Sequence, residues 1–313
     1  MSLTILASGM QATLQGNPRL GFRHQGVPSS GPADSLSHAL ANIALGNEAD
    51  TANIEITGGG FKAVINAPIS IALTGAPSSA TLNNVPLHFY TPIHANAGDT
   101  LIIPPPSLGL RIYLAVTGGF EAQTFLKSTS TYLPANFGGH LGRGLQKDDI
   151  LKFADNPPSL PSQIIPQHIR PFFSRQWSLR FCEGPEFHVL TQESAKQLTH
   201  SPFKASSRLS RMGIQLEGTP LNLSSDGKMK SAPVFAGTIQ CPENGLPFIL
   251  LADAQTTGGY PRIGTIASCD RHRLGQIQAG DQITLISLSP EAALTALKQK
   301  LSALAALTTK PLT

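Results

Sequence analysis

Strand-length apolar runs, broken at short intervals by turn residues, leave this chain few architectures. Phe61-Lys62-Ala63-Val64-Ile65, Ile69-Ser70-Ile71-Ala72-Leu73, Asp99-Thr100-Leu101-Ile102-Ile103 and Ile112-Tyr113-Leu114-Ala115-Val116 are each too short for a stable helix and bounded by Gly, Pro, Asn or Ser. Spacing of this kind predicts a β-barrel or a β-sandwich. The composition agrees: 29 Gly and 25 Pro supply the turns, and charged residues make up 13% of the chain against about 25% in an average soluble protein. One helix interrupts the pattern. Leu36, Leu40 and Ile43 share a face, Asp34 lies in the first turn, Gly46 is the stop signal, and the proline-rich loop 26–32 is the entry.

At 313 residues the chain is long enough for two compact units. Asn156-Pro157-Pro158-Ser159-Leu160-Pro161, ending near Pro166, resists either regular element and marks the boundary. The expected division is 1–155, 156–288 and a C-terminal helix and tail, 289–313. The halves echo one another: Leu114-Ala115 leads to Gly118-Gly119, and Leu251-Ala252 leads to Gly258-Gly259, a short match that only hints at duplication. Ser289-Pro290-Glu291 reads as a helix start, followed by the stripe Leu294, Leu297, Leu301 and Leu304. Such a stripe needs cover, and packing against the chain's own sheet is expected.

Several chemistries are disfavoured. The excess of 23 basic over 19 acidic residues comes without a dense Lys/Arg block, so no nucleic-acid partner is expected. Cys182, Cys241 and Cys269 are odd in number and form no C-x-x-C pair, which argues against disulfides and cysteine zinc sites. The nine histidines include no H-x-H or H-E-x-x-H pair, and no metal is expected. A phosphate-binding G-x-x-x-x-G-K-[ST] loop and a G-x-S-x-G nucleophile elbow are both missing from the sequence. Met1-Ser2-Leu3-Thr4-Ile5-Leu6 is not a signal sequence, and no apolar run reaches the ~18 residues that span a bilayer, so the expectation is a cytoplasmic protein with no membrane contact.

What remains is a set of donor-rich segments. Ala254-Gln255-Thr256-Thr257-Gly258-Gly259-Tyr260-Pro261-Arg262 follows directly on the apolar run Phe248-Ile249-Leu250-Leu251-Ala252, which puts amide, hydroxyls, phenol and guanidinium at a strand's end. Two glycines in that setting suit close approach of another group to the main chain, although a tight turn would use them too. Gln25-Gly26-Val27-Pro28-Ser29-Ser30-Gly31-Pro32-Ala33-Asp34 leads into the first helix, where Ser30 or Asp34 is also a natural cap. Ser130-Thr131-Tyr132, Asn136-Phe137-Gly138-Gly139-His140 and Arg143 form a third cluster, and Ser207-Arg208-Leu209-Ser210-Arg211-Met212-Gly213 adds two guanidiniums suited to carboxylate or phosphate. No activated nucleophile stands out. The inventory suits gripping an amide or urea-like group and stabilising charge on its oxygen, and it suits simple binding as well.

Six of these segments, taken in order, resemble the biotin-dependent carboxyltransferase family known as allophanate hydrolase subunit 2, which includes the C subunit of bacterial 5-oxoprolinase. They are 25–34, Arg111–Gly119, Ser130-Thr131-Tyr132 with Phe137-Gly138-Gly139, Arg211-Met212-Gly213, Gly237-Thr238-Ile239-Gln240 and Gln255–Arg262. The likeness covers nearly the whole chain. Departures are Ala33, where a larger apolar residue is common, and Ala232, where an acid is expected before the proline.

The resemblance implies a mainly β fold of two tandem cyclophilin-like β-barrel subdomains with a few helices, including the C-terminal one. It implies ATP-dependent opening of 5-oxo-L-proline to L-glutamate together with the A and B subunits of the oxoprolinase, of which the second, kinase-inhibitor-like one is the direct contact. ATP then belongs to the complex, since this chain has no nucleotide motif of its own. Catalytic roles fall on Tyr132, Gln255, Thr256, Thr257 and Tyr260, with Tyr132 the proton donor if one is needed. Substrate binding falls on Gln25, Ser30, Asp34, Ser130, Arg143, Arg211, Gln240, Gly258, Gly259 and Arg262, the three arginines steering carboxylate or phosphate. Two other family activities stay open: carboxyl transfer to urea or a related amide from carboxybiotin, and regulation by binding a kinase inhibitor. Only the first of these brings in biotin.

Overall fold

Each half of the chain carries a large hydrophobic core of its own. A computed structural model describes residues 1–156, 158–224 and 227–308; Pro157 of the expected linker and residues 309–313 of the expected tail lie outside the described residues. The first half holds two antiparallel sheets. One runs, in spatial order, Ile150–Lys152, Ser2–Ser8, Phe61–Ile65, Thr100–Ile103, Thr81–Leu82 and Val85–Pro86, and the other Gln11–Gln15, Asn53–Thr57, Arg111–Val116, Ile69–Gly75 and Ile93–Ala95. Their inner faces share one core, to which Leu3, Ile5, Phe61, Ile54, Ile112 and Leu114 contribute.

Two burial patterns explain the runs seen in the sequence. Phe61–Ile65 alternates, with Phe61, Ala63 and Ile65 fully buried and Lys62 and Val64 partly exposed, as expected of a strand with one wet face. Arg111–Val116 is buried throughout because its second face is covered. There Tyr113 and Ala115 meet Leu36, Leu40 and Ile43 of helix α1 (Ser35–Ala44), on the face the periodicity predicts. Asp34 turns out to be the cap of α1, its carboxylate accepting from the Ser37 N–H, and Gly46 follows in the left-handed region.

The second half is a closed seven-stranded barrel: Gln176–Glu183, Arg262–Ile266, Thr238–Gln240, Phe248–Leu250, Gly213–Glu217, Phe203–Leu209 and Gln282–Ser287. Closure comes from parallel pairing of its first and last strands, with Trp177 opposite Ile283 and Leu179 opposite Leu285. Helix α2 (Gln192–His200) is capped by Thr191, and α3 (Pro290–Ala305) by Ser289, whose hydroxyl accepts from Ala292 N–H. The leucine stripe of α3 is not covered as expected. Leu304 is buried against the α1 cluster, whereas Leu294 is 51% and Leu301 37% exposed, so the stripe as a whole does not face the body.

The echo between halves stops at outline. Gly118 and Gly119 form a turn with positive φ, whereas Gly258 has ordinary φ and lies in a two-residue strand, Thr257–Gly258, paired with Ala232–Pro233. Its missing Cβ leaves room for the Gln240 amide, whose Nε2 would lie 2.5 Å from that atom.

Candidate active site at the junction of the two halves

The halves meet through a buried polar network centred on Arg211, at the turn between Phe203–Leu209 and Gly213–Glu217. Its guanidinium donates to Asp253 Oδ2 at 2.7 Å and Oδ1 at 3.0 Å, to Glu55 Oε1 at 2.5 Å and to the Gly31 carbonyl at 2.6 Å. Arg211 and Asp253 belong to the second half, Glu55 and Gly31 to the first. Glu55 also accepts from Tyr113 Oη and Ala33 N–H, both at 2.8 Å, and lies 3.3 Å from Arg111. Burial alone would push the Glu55 carboxyl up; the guanidiniums of Arg211 and Arg111 and the two hydrogen bonds outweigh it and hold the group down at about 2.

Gln276 stitches the same seam. Its Oε1 accepts from the N–H groups of Leu110 and Arg111, at 3.0 and 2.9 Å, and its Nε2 donates to Asp34 Oδ2 at 2.7 Å and the Arg111 carbonyl at 3.0 Å. Every hydrogen-bonding position of that amide is used. Asp34 is fully buried on Ser37 and Gln276, and burial raises its pKa. Ser30 adopts a left-handed backbone (φ 55°), donates its N–H to the Ala252 carbonyl at 3.1 Å and places its hydroxyl 2.5 Å from Asp253 Oδ1. A non-glycine residue in that conformation is held there by its partners.

Thus the loop 30–34 of the first half is pinned to 252–253 of the second. On one side of this seam lies the 254–262 loop. Gln240 is buried behind it, its Nε2 donating to the Tyr260 carbonyl at 3.3 Å and its Oε1 accepting from Gln255 Nε2 at 3.4 Å. Thr256 accepts main-chain donation from Val234, whose own carbonyl accepts from Arg23 of the first half. Tyr260 is exposed, and Gln25 sits exposed in the turn beside Arg23. Tyr132, in the first half, packs its ring against Phe137 with centroids 5.1 Å apart; burial and the Asp253 charge raise its phenol pKa.

The three arginines assigned to steer a substrate anion are all committed elsewhere. Arg211 is the clamp just described. Arg143 is forked onto Asp149 at 2.8 and 2.7 Å, and Arg262 onto Glu186 at 2.8 and 2.7 Å. Asp34 is a helix cap, and Ser130 is buried with its hydroxyl on Gly16 and Asn17. Their polarity serves the fold because each charge or hydroxyl already has its partner.

On the other side of the seam opens a cleft of about 540 Å³ whose walls come from both halves. Ser30, Gly31, Ser35 and Asp50 line it from the first half, Gly237, Arg271 and His272 from the second. The sequence analysis passed over Arg271, His272, Glu55, Asp253 and Gln276, and named Arg111 only as the start of a strand segment. Two signals were available: Glu55 interrupts Ile54-Glu55-Ile56 within a strand-length run, and Asp253 directly follows Phe248–Ala252.

Residues 25–287 match the family model for the carboxyltransferase domain, subdomain A and B. The chain belongs to this carboxyltransferase-domain family. Among relatives, the C subunit of 5-oxoprolinase from Escherichia coli strain K12 is 35% identical over 297 residues, covering 94% of each chain. That of Haemophilus influenzae is 33% identical over 287 residues, covering 92% of this chain and 91% of the relative. Among solved structures, the urea amidolyase of Kluyveromyces lactis superposes with a TM-score of 0.94 at 27% identity, covering 100% of this chain and 20% of that one. The carboxyltransferase-domain fold accounts for the mainly β architecture and for the C-terminal helix. Among the described residues, no helix is long and apolar enough to cross a membrane.

Proposed function

We propose that this chain is the C subunit of a 5-oxoprolinase, opening 5-oxo-L-proline to L-glutamate with ATP and the partner A and B subunits. The observation that carries this reading is end-to-end correspondence: the chain matches 94% of the E. coli C subunit, whereas it corresponds to 20% of the K. lactis urea amidolyase. Similarity to proteins named as a C subunit points to work with separate partner subunits.

The junction supports amide chemistry. A lactam carbonyl is a poor electrophile, and opening it requires donors placed where charge grows on oxygen. Donor side chains of that kind stand on both sides of the seam: Gln255, Thr256, Thr257 and Tyr260 in the 254–262 loop, and Ser30, Arg271 and His272 on the walls of the cleft. ATP is assigned to the assembled complex, because this sequence has no phosphate-binding loop. The test is reconstitution. The chain is purified with its A and B partners, and glutamate release from 5-oxo-L-proline is followed with each component omitted in turn; ATP-dependent release only from the full mixture is expected, and none from the full mixture refutes the reading.

A second reading, carboxyl transfer to urea or a related amide, is favoured by the TM-score of 0.94 to the urea amidolyase. Biotin on another chain would then supply the carboxyl group, and a cleft of about 540 Å³ is in the size range that takes such a bicyclic ring. Incubation of the chain with carboxybiotin and urea separates the two readings: loss of the carboxyl group that depends on urea supports the second.

A further inference from the structure

We propose that the substrate's seat is the cleft rather than the 255–260 loop, with His272 donating a hydrogen bond to the lactam carbonyl, Arg271 taking the carboxylate, and Lys300 of α3 acting as a positioning residue for the imidazole. The proposal rests on the 5-oxoprolinase reading above for its substrate class.

His272 is buried, at 7% exposure, and lines the cleft. Lys300 Nζ lies 2.8 Å from its Nδ1 and donates to the Cys269 carbonyl at 3.1 Å. An ammonium has no acceptor to offer, so Nδ1 must accept and the ring proton must sit on Nε2. Among the described residues the side-chain hydrogen bond of this imidazole is the one at Nδ1, which leaves Nε2 to the cleft that the ring lines. A buried imidazole with one nitrogen fixed and a donor left over, on the wall of a cavity, is matched to an acceptor brought by a ligand. The ring is also kept neutral: burial and the charges of Lys300 and Arg273 push its pKa well below the ordinary value, against Asp270 and the Cys269 carbonyl, which act to raise it.

Arg271 is the neighbouring residue on the same wall. Its hydrogen bond to the Ile266 carbonyl is long, 3.5 Å, and its guanidinium stacks over Phe235 at 5.8 Å. No carboxylate lies within ion-pair distance of it among the described residues, in contrast to Arg143, Arg180, Arg211 and Arg262. A desolvated guanidinium without a counter-ion beside a neutral imidazole donor recognises a molecule carrying both a carboxylate and a carbonyl. 5-Oxo-L-proline has the two on one five-membered ring; urea has only the carbonyl.

Lys300 gives the dyad a pH signature. Burial lowers its pKa to about 8, with Asp34, Cys269 and Asp270 acting to raise it and Arg273 to lower it further. Above that value the ammonium that fixes Nδ1 is lost, and kcat falls as pH rises through about 8. Lys300→Arg keeps the charge, so its alkaline fall moves upward.

The test uses the assembled three-subunit enzyme with 5-oxo-L-proline as variable substrate, and circular dichroism melts confirm that each variant is folded. Arg271→Gln is expected to raise KM by roughly tenfold or more with kcat retained, as for loss of one charge-assisted contact. His272→Ala is expected to lower kcat by about a hundredfold, and His272→Gln, which keeps a donor, by less. Lys300→Met is expected to lower kcat by roughly tenfold with KM unchanged, and Lys300→Arg to restore it in part. Wild-type kcat and KM in Arg271→Gln and His272→Ala, with Thr256→Ala and Tyr260→Phe impaired instead, overturns this proposal and leaves the 5-oxoprolinase reading intact. If the wild-type mixture releases no glutamate, calorimetric titration of the same complex with 5-oxo-L-proline decides: binding weakened at least tenfold by Arg271→Gln sustains the seat, and no binding overturns it.

Discussion

Replacing Arg211 by methionine removes the clamp at the seam while keeping an unbranched chain of similar length. Two carboxylates then stay behind, Glu55 and Asp253, each about 1% exposed. Glu55 keeps Arg111, Tyr113 and Ala33, but Asp253 keeps only the Ser30 hydroxyl from its present side-chain set. Breaking one side of a buried ion pair costs about 3–5 kcal/mol. At about 2–4 °C per kcal/mol for a chain of this size class, Tm should fall by about 6–20 °C. The second substitution Asp253→Asn, which removes the stranded charge, should recover part of that loss, so that the double-mutant cycle shows coupling well above about 0.5 kcal/mol. The same network predicts an acid limb. The folded pKa of Glu55, about 2, lies below its ordinary 4.5, so its contribution is fully present above pH 4.5 and is lost as pH falls toward 2. That gap corresponds to roughly 3 kcal/mol, and Glu55→Gln should flatten the limb. Urea denaturation of the wild type and the variants across the acid and neutral range measures both effects. A loss under about 1 kcal/mol in Arg211→Met, or strict additivity in the cycle, would refute the clamp.

The glycine pair separates two causes for one motif. Gly258→Ala drives a methyl to 2.5 Å from the Gln240 amide and should lower Tm, whereas Gly259→Ala meets only the Met229 carbonyl at 3.3 Å and should be mild; equal melting temperatures for the two would contradict the packing. Gln276→Leu strands the Leu110 and Arg111 N–H groups and leaves Asp34 Oδ2 with the Ser37 hydroxyl alone, and should cost about 2–4 kcal/mol in chemical denaturation. Arg262→Gln breaks a pair that is about one-fifth exposed on each side; stability should drop by about 1 kcal/mol or less and KM for 5-oxo-L-proline should not move, so a raised KM would restore it to the substrate.

Local features of this fold could be read from the sequence because their causes are local. Phe61–Ile65 is a strand as its run predicts, Ile69–Leu73 lies within Ile69–Gly75, and Ile112–Val116 within Arg111–Val116. The face of α1 and the caps of α1 and α3 follow from residues three or four apart. Closure of the barrel by parallel pairing of Gln176–Glu183 with Gln282–Ser287 was not legible, since no local pattern joins strands about a hundred residues apart. The candidate site failed in the same way. Arginine looks alike in sequence whether it grips a ligand or a carboxylate: Arg211 finds Glu55 at a separation of 156 residues, and Arg262 finds Glu186 at 76. Arg143 and Asp149, six residues apart, were near enough for their pairing to be foreseen.

The seam also bears on why a buried ionic network stands where apolar packing would be at least as stable. Buried pairs add little net stability over well-packed hydrophobic side chains, but they tolerate only one relative placement of the groups that make them. Arg211 reaches Asp253, Glu55 and the Gly31 carbonyl together only if the loop 30–34 lies at one position against 252–253. Gln276 imposes the same condition from the second half on Asp34 and Arg111. These constraints bracket the cleft, for Ser30, Gly31 and Ser35 on one wall and Arg271 and His272 on the other are within a few residues of the clamped positions. Two cores that could slide on an apolar interface would hold those walls at no fixed spacing, and a site assembled from both halves loses its geometry with displacements of about 1 Å. Arg211, Asp253, Glu55 and Gln276 are not among the residues that line the cleft, so they act on it at one remove, by setting the spacing between its walls.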